Sequence, residues 1–217
     1  MWRVLIAALA LHTAGAVCPG AFPDSPSGFA GPQSLLGEWR DLYSSRGVDA
    51  AMFPCMGQTI TAVNASAVLT TTTANIVGFR VLGRQAPYEY AASFINVLPR
   101  SAAADANVFD LVPASASARW FEGSVMAVVD MDDGAAPGEG RDWYAWYICD
   151  PRDDGEDGYE FHVMARPDVA DAIGEETTAR VLALLAARGL NPDNATLHHE
   201  RHPGACDGGA ATTAAVQ

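Results

Sequence analysis

Short runs of β-branched and aromatic residues, separated by polar clusters that mostly contain glycine, follow one another from Leu35 to about Pro167. Short runs of such residues, bounded by turn clusters, are typical of β-strands. The pattern predicts about eight strands. In chain order they are "LLGEWRDLY", which taken alone also permits an amphipathic helix, "GQTITAV", "AVLTTTTANIVGF", "YEYAASFINVL", "NVFDLVP", "RWFEGSVMAVVDM", "DWYAWYICD" and "GYEFHVMA".

One later segment, "DVADAIGEETTARVLALLAARGL", has helical spacing. Its apolar positions include Ile173, Val181 and Leu185, acidic residues stand early, and Gly189 follows the end. These features predict a helix over about residues 170–188. A β-rich body followed by one amphipathic helix indicates that the helix packs on the outside of the sheet.

Eight sequential strands with short connections are more easily closed than left open, because closure removes exposed strand edges. We therefore predict an all-β fold, an eight-stranded antiparallel up-and-down β-barrel with one C-terminal α-helix on its outside. Such a barrel has an interior that can hold one small ligand. The barrel domain would span 35–206, after an irregular N-terminal arm at 17–34 and before a disordered tail at 207–217.

The first residues predict export. "MWRVLIAALALHTAGAVC" begins with one arginine, continues with an apolar run and ends in small residues, the layout of a secretory signal peptide over 1–16. We expect a secreted protein. An alternative makes Cys18 a lipidated first residue that anchors the protein to a membrane.

Composition narrows the functions. The chain of 217 residues is 49% hydrophobic and 18% charged, which indicates a packed globular domain. A formal net charge of −13 argues against nucleic acid and anionic membrane surfaces as partners. The sequence contains no lysine, which excludes a lysine Schiff base. Phosphate loops, nucleophile elbows and paired catalytic carboxylates are absent, so we expect no cofactor and no enzyme activity.

Other motifs have weaker implications. Four cysteines in an exported chain predict two disulfides, and their spacing leaves three connectivities open. The histidines of "HHERH" lack zinc-site spacing, and "DMDDG" lacks the rest of a calcium loop, so we expect no metal. Asn64 and Asn194 begin glycosylation sequons.

The order of several short motifs resembles the lipocalin family, and within it the apolipoprotein D-like group. Gly37 and Trp39 match the glycine-x-tryptophan motif of the first strand, Asp142 and Trp143 stand for the second motif, and Arg166 for the third. The resemblance implies that these five residues hold the closed end of the barrel, with Arg166 laid over Trp39. It also implies the two disulfides, which are Cys18 with Cys149 and Cys55 with Cys206.

The resemblance further implies a carrier that binds a small hydrophobic molecule, such as a lipid, retinoid, sterol or pigment, in the barrel lumen. A receptor or a membrane lipid donor would be a further partner, and the oligomeric state stays open. Two alternatives remain, an isomerase- or de-epoxidase-type enzyme using Glu89 and Glu122, and a protein-binding scaffold. The ligand-lining candidates are the aromatic residues of three strands, Tyr88, Tyr90, Phe94, Tyr144, Trp146 and Phe161.

Overall fold

The computed structural model describes a defined part of the chain. It describes the backbone but not the side chain of residues 75, 76, 80, 81, 84, 85, 88–90, 92, 94 and 120. The predicted signal peptide and tail, together with Cys55, Cys206, Asn194 and His202, lie outside the described residues. The described residues are 18, 22, 24–27, 29–45, 56–76, 80, 81, 84, 85, 88–97, 107–132, 141–150, 158–191 and 196–199.

The described strands, numbered in chain order, largely follow the predicted runs. The first predicted segment is a strand rather than a helix. The bounds are β1 (Gly37–Ser44), β2 (Gly57–Asn64), β3 (Ala67–Ile76), β4 (Arg80–Val81), β5 (Arg84–Gln85), β6 (Tyr88–Val97), β7 (Val108–Pro113), β8 (Val125–Met131), β9 (Trp143–Cys149), β10 (Tyr159–Ala165) and β11 (His198–His199).

Eight of these strands form a closed antiparallel barrel. Its order is β10-β9-β8-β7-β6-β3-β2-β1, and β1 pairs back onto β10 to close it. The predicted fold class is therefore confirmed. Strands β4 and β5 form a separate small hairpin, and β11 adds to the edge of β1.

One predicted strand is partly wrong. The segment "RWFEGSVMAVVDM" begins with residues of a 3-10 helix, Ala116–Phe121, and becomes strand β8 only from Val125. Hydroxyl groups explain the helix, because Ser115 Oγ accepts from the Ser93 amide at 2.9 Å and Ser117 Oγ donates to the Ala91 carbonyl at 2.5 Å. These bonds hold the start of the connection against β6.

The barrel wall separates two apolar clusters. The outer cluster contains Val181 and Leu185 of the helix α1 (Glu175–Ala187), so the strand residues packed with them face outward. The inner cluster holds the residues that alternate with these along the strands, among them Trp39, Tyr144 and Trp146. Helix α1 lies outside the barrel as predicted, although it is shorter than the predicted 170–188 because a separate 3-10 turn occupies Ala170–Ala172.

The N-terminal arm is fastened to the barrel. A disulfide joins Cys18 to Cys149 at the end of β9, which confirms that implied pairing. Farther along the arm, Phe22 meets Tyr147 edge-on at 6.2 Å between ring centroids. In the described part of the chain, no helix has the length and apolarity needed to cross a membrane.

Candidate functional site

The closed end of the barrel is built around Trp39. The guanidinium carbon of Arg166 lies 3.7 Å from the centroid of the Trp39 ring, the contact that the sequence predicts. The Trp39 indole donates to the Leu35 carbonyl at 2.7 Å. Arg166 donates to the carbonyls of Leu36 at 2.9 Å and Glu38 at 3.2 Å. Arg166 thereby ties the end of β10 to both sides of Gly37.

Gly37 is required by this arrangement. Its φ of 114° lies in the region that favours glycine. A Cβ built on Gly37 would also collide with the guanidinium of Arg166. The glycine of the motif therefore makes room for the arginine that covers Trp39.

Above the base, a hydrogen bond crosses the lumen. The Tyr144 hydroxyl on β9 donates to Gln58 Oε1 on β2 at 2.9 Å, and these two strands are not neighbours in the sheet. The Tyr144 ring also meets Trp39 edge-on at 4.6 Å between centroids. Burial, with a smaller contribution from Asp41, raises the pKa of Tyr144, so its hydroxyl keeps its proton and donates.

The middle of the lumen holds a buried pair of ionisable residues. His162 on β10 lies opposite Trp146 on β9, and the two rings stack at 4.2 Å between centroids and 10° between planes. His162 Nδ1 hydrogen-bonds Asp41 Oδ2, and the two side chains are 2% and 0% exposed. Glu160 Oε1 lies 3.9 Å from His162 Nε2. The histidine therefore stands between two carboxylates.

The charges of this pair follow from burial and proximity. Burial acts to lower the pKa of His162, but the Asp41 carboxylate, aided by Glu160, outweighs burial and holds that pKa well above its ordinary value. Burial raises the pKa of Asp41, while the charge of His162 opposes the rise. A positive imidazolium at neutral pH is consistent with these surroundings.

Four buried polar atoms around the lumen have no hydrogen-bond partner among the described residues. They are Asp41 Oδ1, Thr70 Oγ1, Asn96 Oδ1 and Trp146 Nε1. They come from β1, β3, β6 and β9, and the stagger of a closed barrel brings these positions to similar heights along its axis. A buried polar group without a partner costs about 1 to 3 kcal/mol. A ligand that supplies the missing partners would recover this cost.

The opposite end of the barrel is partly covered. The 3-10 helix Ala116–Phe121 connects β7 to β8 there, Ala118 is fully buried in the inner cluster and Phe121 packs against it. Outside this helix, Val112, Arg119 and Glu122 border an open groove of ≈ 410 Å³. Glu122, named for the enzyme alternative, is exposed there and does not reach the lumen.

The predicted lining residues fall into three groups. Tyr144 and Trp146 belong to the inner cluster, whereas Phe161 belongs to the outer one and packs with the residues that cover α1. The prediction that Phe161 lines the lumen is wrong. Strand β10 directs His162 and Met164 inward, so Phe161, which has the other parity, points outward. Tyr88, Tyr90 and Phe94 lie on β6, but their side chains and that of Glu89 are outside the described part.

The second motif contributes less to the base than the sequence predicts. Trp143 faces outward and belongs to the outer cluster. The centroid of its ring lies 5.4 Å from the guanidinium carbon of Arg180 on α1. The Asp142 carbonyl, rather than its exposed carboxylate, accepts from the Arg166 amide at 2.8 Å. The prediction that Trp143 helps to hold the base is wrong, because Tyr144, and not Trp143, is the residue of β9 that faces the base.

The remaining motifs lie on the surface. Asn64 is exposed in the turn between β2 and β3, where its Oδ1 accepts from the Ser66 amide at 2.8 Å. His198 and His199 are exposed on β11. Among the described residues, no group of three or more His, Cys, Asp or Glu side chains is placed to hold a metal ion.

The sequence predictions missed the polar residues of the lumen. Asp41, Gln58, Thr70, Asn96 and His162 were not among the candidates, yet all are buried. Asp41 stands two residues after Trp39 on β1 and therefore lies on the same face. His162 pairs with Trp146 across β9 and β10 and therefore lies on the same face as Trp146. Strand parity was therefore the signal that could have found them.

Comparison with known proteins supports the fold alone. The structure of the tryptamine complex of the amine binding protein of Rhodnius prolixus is similar to this chain, with a TM-score of 0.51, 13% identity and coverage of 83% of this chain and 84% of that one. Lobster apocrustacyanin A1 is also similar, with a TM-score of 0.50, 9% identity and coverage of 78% of each chain. For apocrustacyanin C2 the TM-score is 0.50 and the identity 11%, with coverage of 80% of this chain and 81% of that one. No family model and no curated protein matches the chain. The shared architecture is the lipocalin fold.

Proposed function

We propose that this protein is a secreted carrier that binds one small hydrophobic molecule in the lumen of its barrel. The observation that carries the proposal is the inner face itself, where Trp39, Tyr144 and Trp146 surround polar atoms that have no partner among the described residues. An apolar pocket with a few buried polar groups is typical of small-molecule sites. The candidate ligands are a lipid, a retinoid, a sterol or a pigment.

The fold supports a carrier more than an enzyme. The Rhodnius prolixus protein of similar structure forms a complex with tryptamine, and we extend to this chain only the binding of a small molecule. Arg166 over Trp39 closes one end of the barrel, so we place the ligand above that end. Tyr88, Tyr90 and Phe94 on β6 remain candidates for further lining residues.

The biological setting is part of the proposal. The predicted signal peptide and the disulfide of Cys18 with Cys149 fit an extracellular protein. We propose that Cys55 pairs with Cys206, that the sequons at Asn64 and Asn194 are glycosylated, and that the chain is related to the apolipoprotein D-like group. Delivery to a receptor, or loading from a membrane lipid donor, would then complete its transport role.

Two tryptophans on one strand provide a matched test. Trp146 faces the lumen and Trp143 faces helix α1, so Trp146→Phe and Trp143→Phe make the same change on opposite faces of β9. Tryptophan fluorescence is titrated with retinol, oleic acid and cholesterol. A carrier shows saturable quenching at one ligand per chain, which Trp146→Phe diminishes and Trp143→Phe preserves. Equal loss in both variants, or no quenching by any ligand, contradicts lumen binding.

Recovery of a chemically converted ligand would favour the enzyme alternative. A lumen filled by side chains in an experimental structure, together with binding of a protein partner at the groove beside Arg119, would favour the scaffold.

A further inference from the structure

We propose that the outward face of β2, β3 and β6 is the contact surface of a weak, two-fold symmetric dimer of this chain. The face also reaches one residue of β7. It lies on the outside of the barrel, so the dimer would form whether or not the lumen carries a ligand. The residues of this uncharged face are Thr59, Thr61, Leu69, Thr71, Thr73, Ala91, Ser93, Ile95 and Val112.

Strand parity places these side chains on the outside of the barrel. Ile60, Val68 and Leu111 belong to the inner cluster, and Asn96 donates to Met126 of that cluster at 3.4 Å. Residues that alternate with them along the strands therefore point away from the lumen. The strand register sets the outward residues in rows across the sheet, of which one is Thr59, Thr71 and Ser93 and the next is Thr61, Leu69, Ile95 and Val112.

The uncharged face has no cover in the part of the chain that the structure describes. The outer cluster joins α1 and the N-terminal arm to the barrel, and its described members come from β1 and β7–β10 but not from β2, β3 or β6. Val112 is 46% exposed, and Val63 at the end of β2 is 51% exposed. Beside Val112 the face continues into the open groove of ≈ 410 Å³. A contiguous exposed patch of this kind is typical of an interaction surface.

The charge of the chain favours contact between copies at this face. None of its nine residues is charged, although 18% of the chain is charged and the formal net charge is −13. Two such chains repel each other, and the repulsion is smallest where the contact surfaces carry no charge. The acidic residues Glu89 and Asp110 stand only at the border, two positions before Ala91 and Val112.

The polar groups of the face are complementary to themselves. Thr59, Thr71 and Ser93 form a row of hydroxyl groups, and Thr71 Oγ1 lies 3.1 Å from Ser93 Oγ. A hydroxyl both donates and accepts a hydrogen bond, so two such rows can bond to each other. A two-fold dimer needs a surface that is complementary to itself. A membrane surface would instead favour Trp, Tyr, Lys or Arg, and the face contains none of these.

The size of the face predicts a weak dimer. Four strands spaced by about 4.8 Å and three rows spaced by about 6.8 Å cover about 400 Å² on each copy, or about 800 Å² in total. Interfaces below about 1,200 Å² are typical of weak and transient complexes. We therefore expect a dissociation constant on the order of 100 µM.

Sedimentation equilibrium of the whole protein measures this association. The protein is studied from about 5 to about 500 µM, in about 0.05 M and about 0.5 M sodium chloride. We expect a reversible monomer–dimer equilibrium with a dissociation constant at least about three-fold lower at the higher salt, because salt screens the repulsion between two acidic chains. A chain that stays monomeric throughout, or a dimer that salt weakens, overturns the inference.

Two variants and one control locate the contact. Ala91→Asp adds a carboxylate to the uncharged face, and Ala183→Asp makes the same change at an exposed position of α1. We expect Ala91→Asp to weaken the dimer at least about ten-fold, since a two-fold contact brings the added charges of both copies together. Ala183→Asp should keep the wild-type dissociation constant. Should Ala91→Asp fail to fold by circular dichroism, Val112→Asp adds the charge at a side chain that is 46% exposed.

The remaining outcomes decide against the dimer. Unchanged association in the folded face variants, or an equal loss in Ala183→Asp, would show that the contact does not lie on the uncharged face. Flotation of a monomeric wild-type chain with phosphatidylcholine vesicles, lost in Ala91→Asp, would assign the face to a membrane surface and overturn the inference.

Discussion

At the scale of single residues, Gly37 and Arg166 form one unit. The glycine has a backbone conformation that side chains rarely adopt, and the arginine fills the place where a Cβ would lie. The arginine in turn covers Trp39, so a change at Gly37 disturbs the whole base of the barrel. The short motif therefore encodes a packing contact between the first and the last strand.

Alanine at Gly37 is expected to destabilise the fold. Gly31→Ala is the control, because Gly31 also has a positive φ, 107°, yet has open space where its Cβ would lie. The control isolates the backbone cost, about 1 to 3 kcal/mol. Gly37→Ala adds the displacement of Arg166, so urea unfolding should show a larger loss of unfolding free energy. Equal losses in the two variants would show that the collision with Arg166 does not matter.

The buried His162 makes stability depend on pH. The folded-state pKa of His162 is raised, so the stabilisation is complete below the unfolded pKa of about 6.5 and is lost as pH rises through the folded value. The free energy of unfolding should therefore fall as the pH rises above the unfolded pKa of about 6.5 and through the raised folded value. His162→Gln should flatten this dependence. A wild-type free energy that is constant or rises over this range contradicts the charged pair.

The sequence predicts only some of these residues. Trp39 and Arg166 could be predicted because their spacing matches a known motif. Asp41 and His162 could not be ranked, because a carboxylate or a histidine on a strand is ordinarily solvent-exposed. Only the closure of β1 onto β10 brings the two together inside the barrel.

At the scale of elements, helix α1 is attached by apolar contacts more than by charge. Val181 and Leu185 are fully buried against the barrel, whereas Arg180, which pairs with Asp130 at 2.8 Å, has a side chain 47% exposed. Burial of apolar side chains contributes more free energy than a partly exposed ion pair. The helix is thus a cover for the outer apolar face of β8, β9 and β10.

Two substitutions on α1 compare these contributions. Leu185→Ala should lower the free energy of unfolding by about 2 to 4 kcal/mol, because it leaves a cavity between the helix and the barrel. Arg180→Ala should cost less than about 1 kcal/mol. Chemical denaturation followed by circular dichroism measures both values. A larger loss for Arg180→Ala would show that the ion pair with Asp130 holds the helix.

Strand prediction succeeded in the runs of β-branched and aromatic residues and failed where side chains bonded to the backbone. The 3-10 helix Ala116–Phe121 has strand-like composition in "RWF", yet Ser115 and Ser117 fasten it to β6. Bulges in β1 and β8 also shift the parity of the residues that follow them. Such local irregularities follow from contacts between distant segments, which a sequence pattern does not contain.

At the scale of the whole molecule, a disulfide links the arm to the barrel. Cys18 and Cys149 are 131 residues apart, so their bridge restricts the unfolded chain strongly. Replacing both by alanine should lower the free energy of unfolding by about 4 kcal/mol. Urea unfolding with and without a reductant provides the measurement, and a reductant should have a smaller effect on the double variant. A double variant as stable as the oxidised protein would show that the bridge does not stabilise the fold.

The closed barrel with its outer helix could be predicted as a whole, because eight strands without parallel crossovers favour closure. The polarity of its lumen depends on strand parity, which the sequence pattern alone leaves open. A one-residue change of parity exchanges the two faces of a strand, as the opposite placements of Trp146 and Phe161 show. The pairing of the strands, and not the sequence pattern, therefore decides which side chains line the lumen.

The central claim is that the lumen carries one small molecule, and native mass spectrometry tests it most directly. The protein is purified from its source cell and measured as isolated, and again after incubation with retinol, oleic acid and cholesterol. We predict a non-covalent mass increment of one small molecule per chain, which Trp146→Phe weakens and Trp143→Phe preserves. A bare chain mass under every one of these conditions would contradict the carrier function.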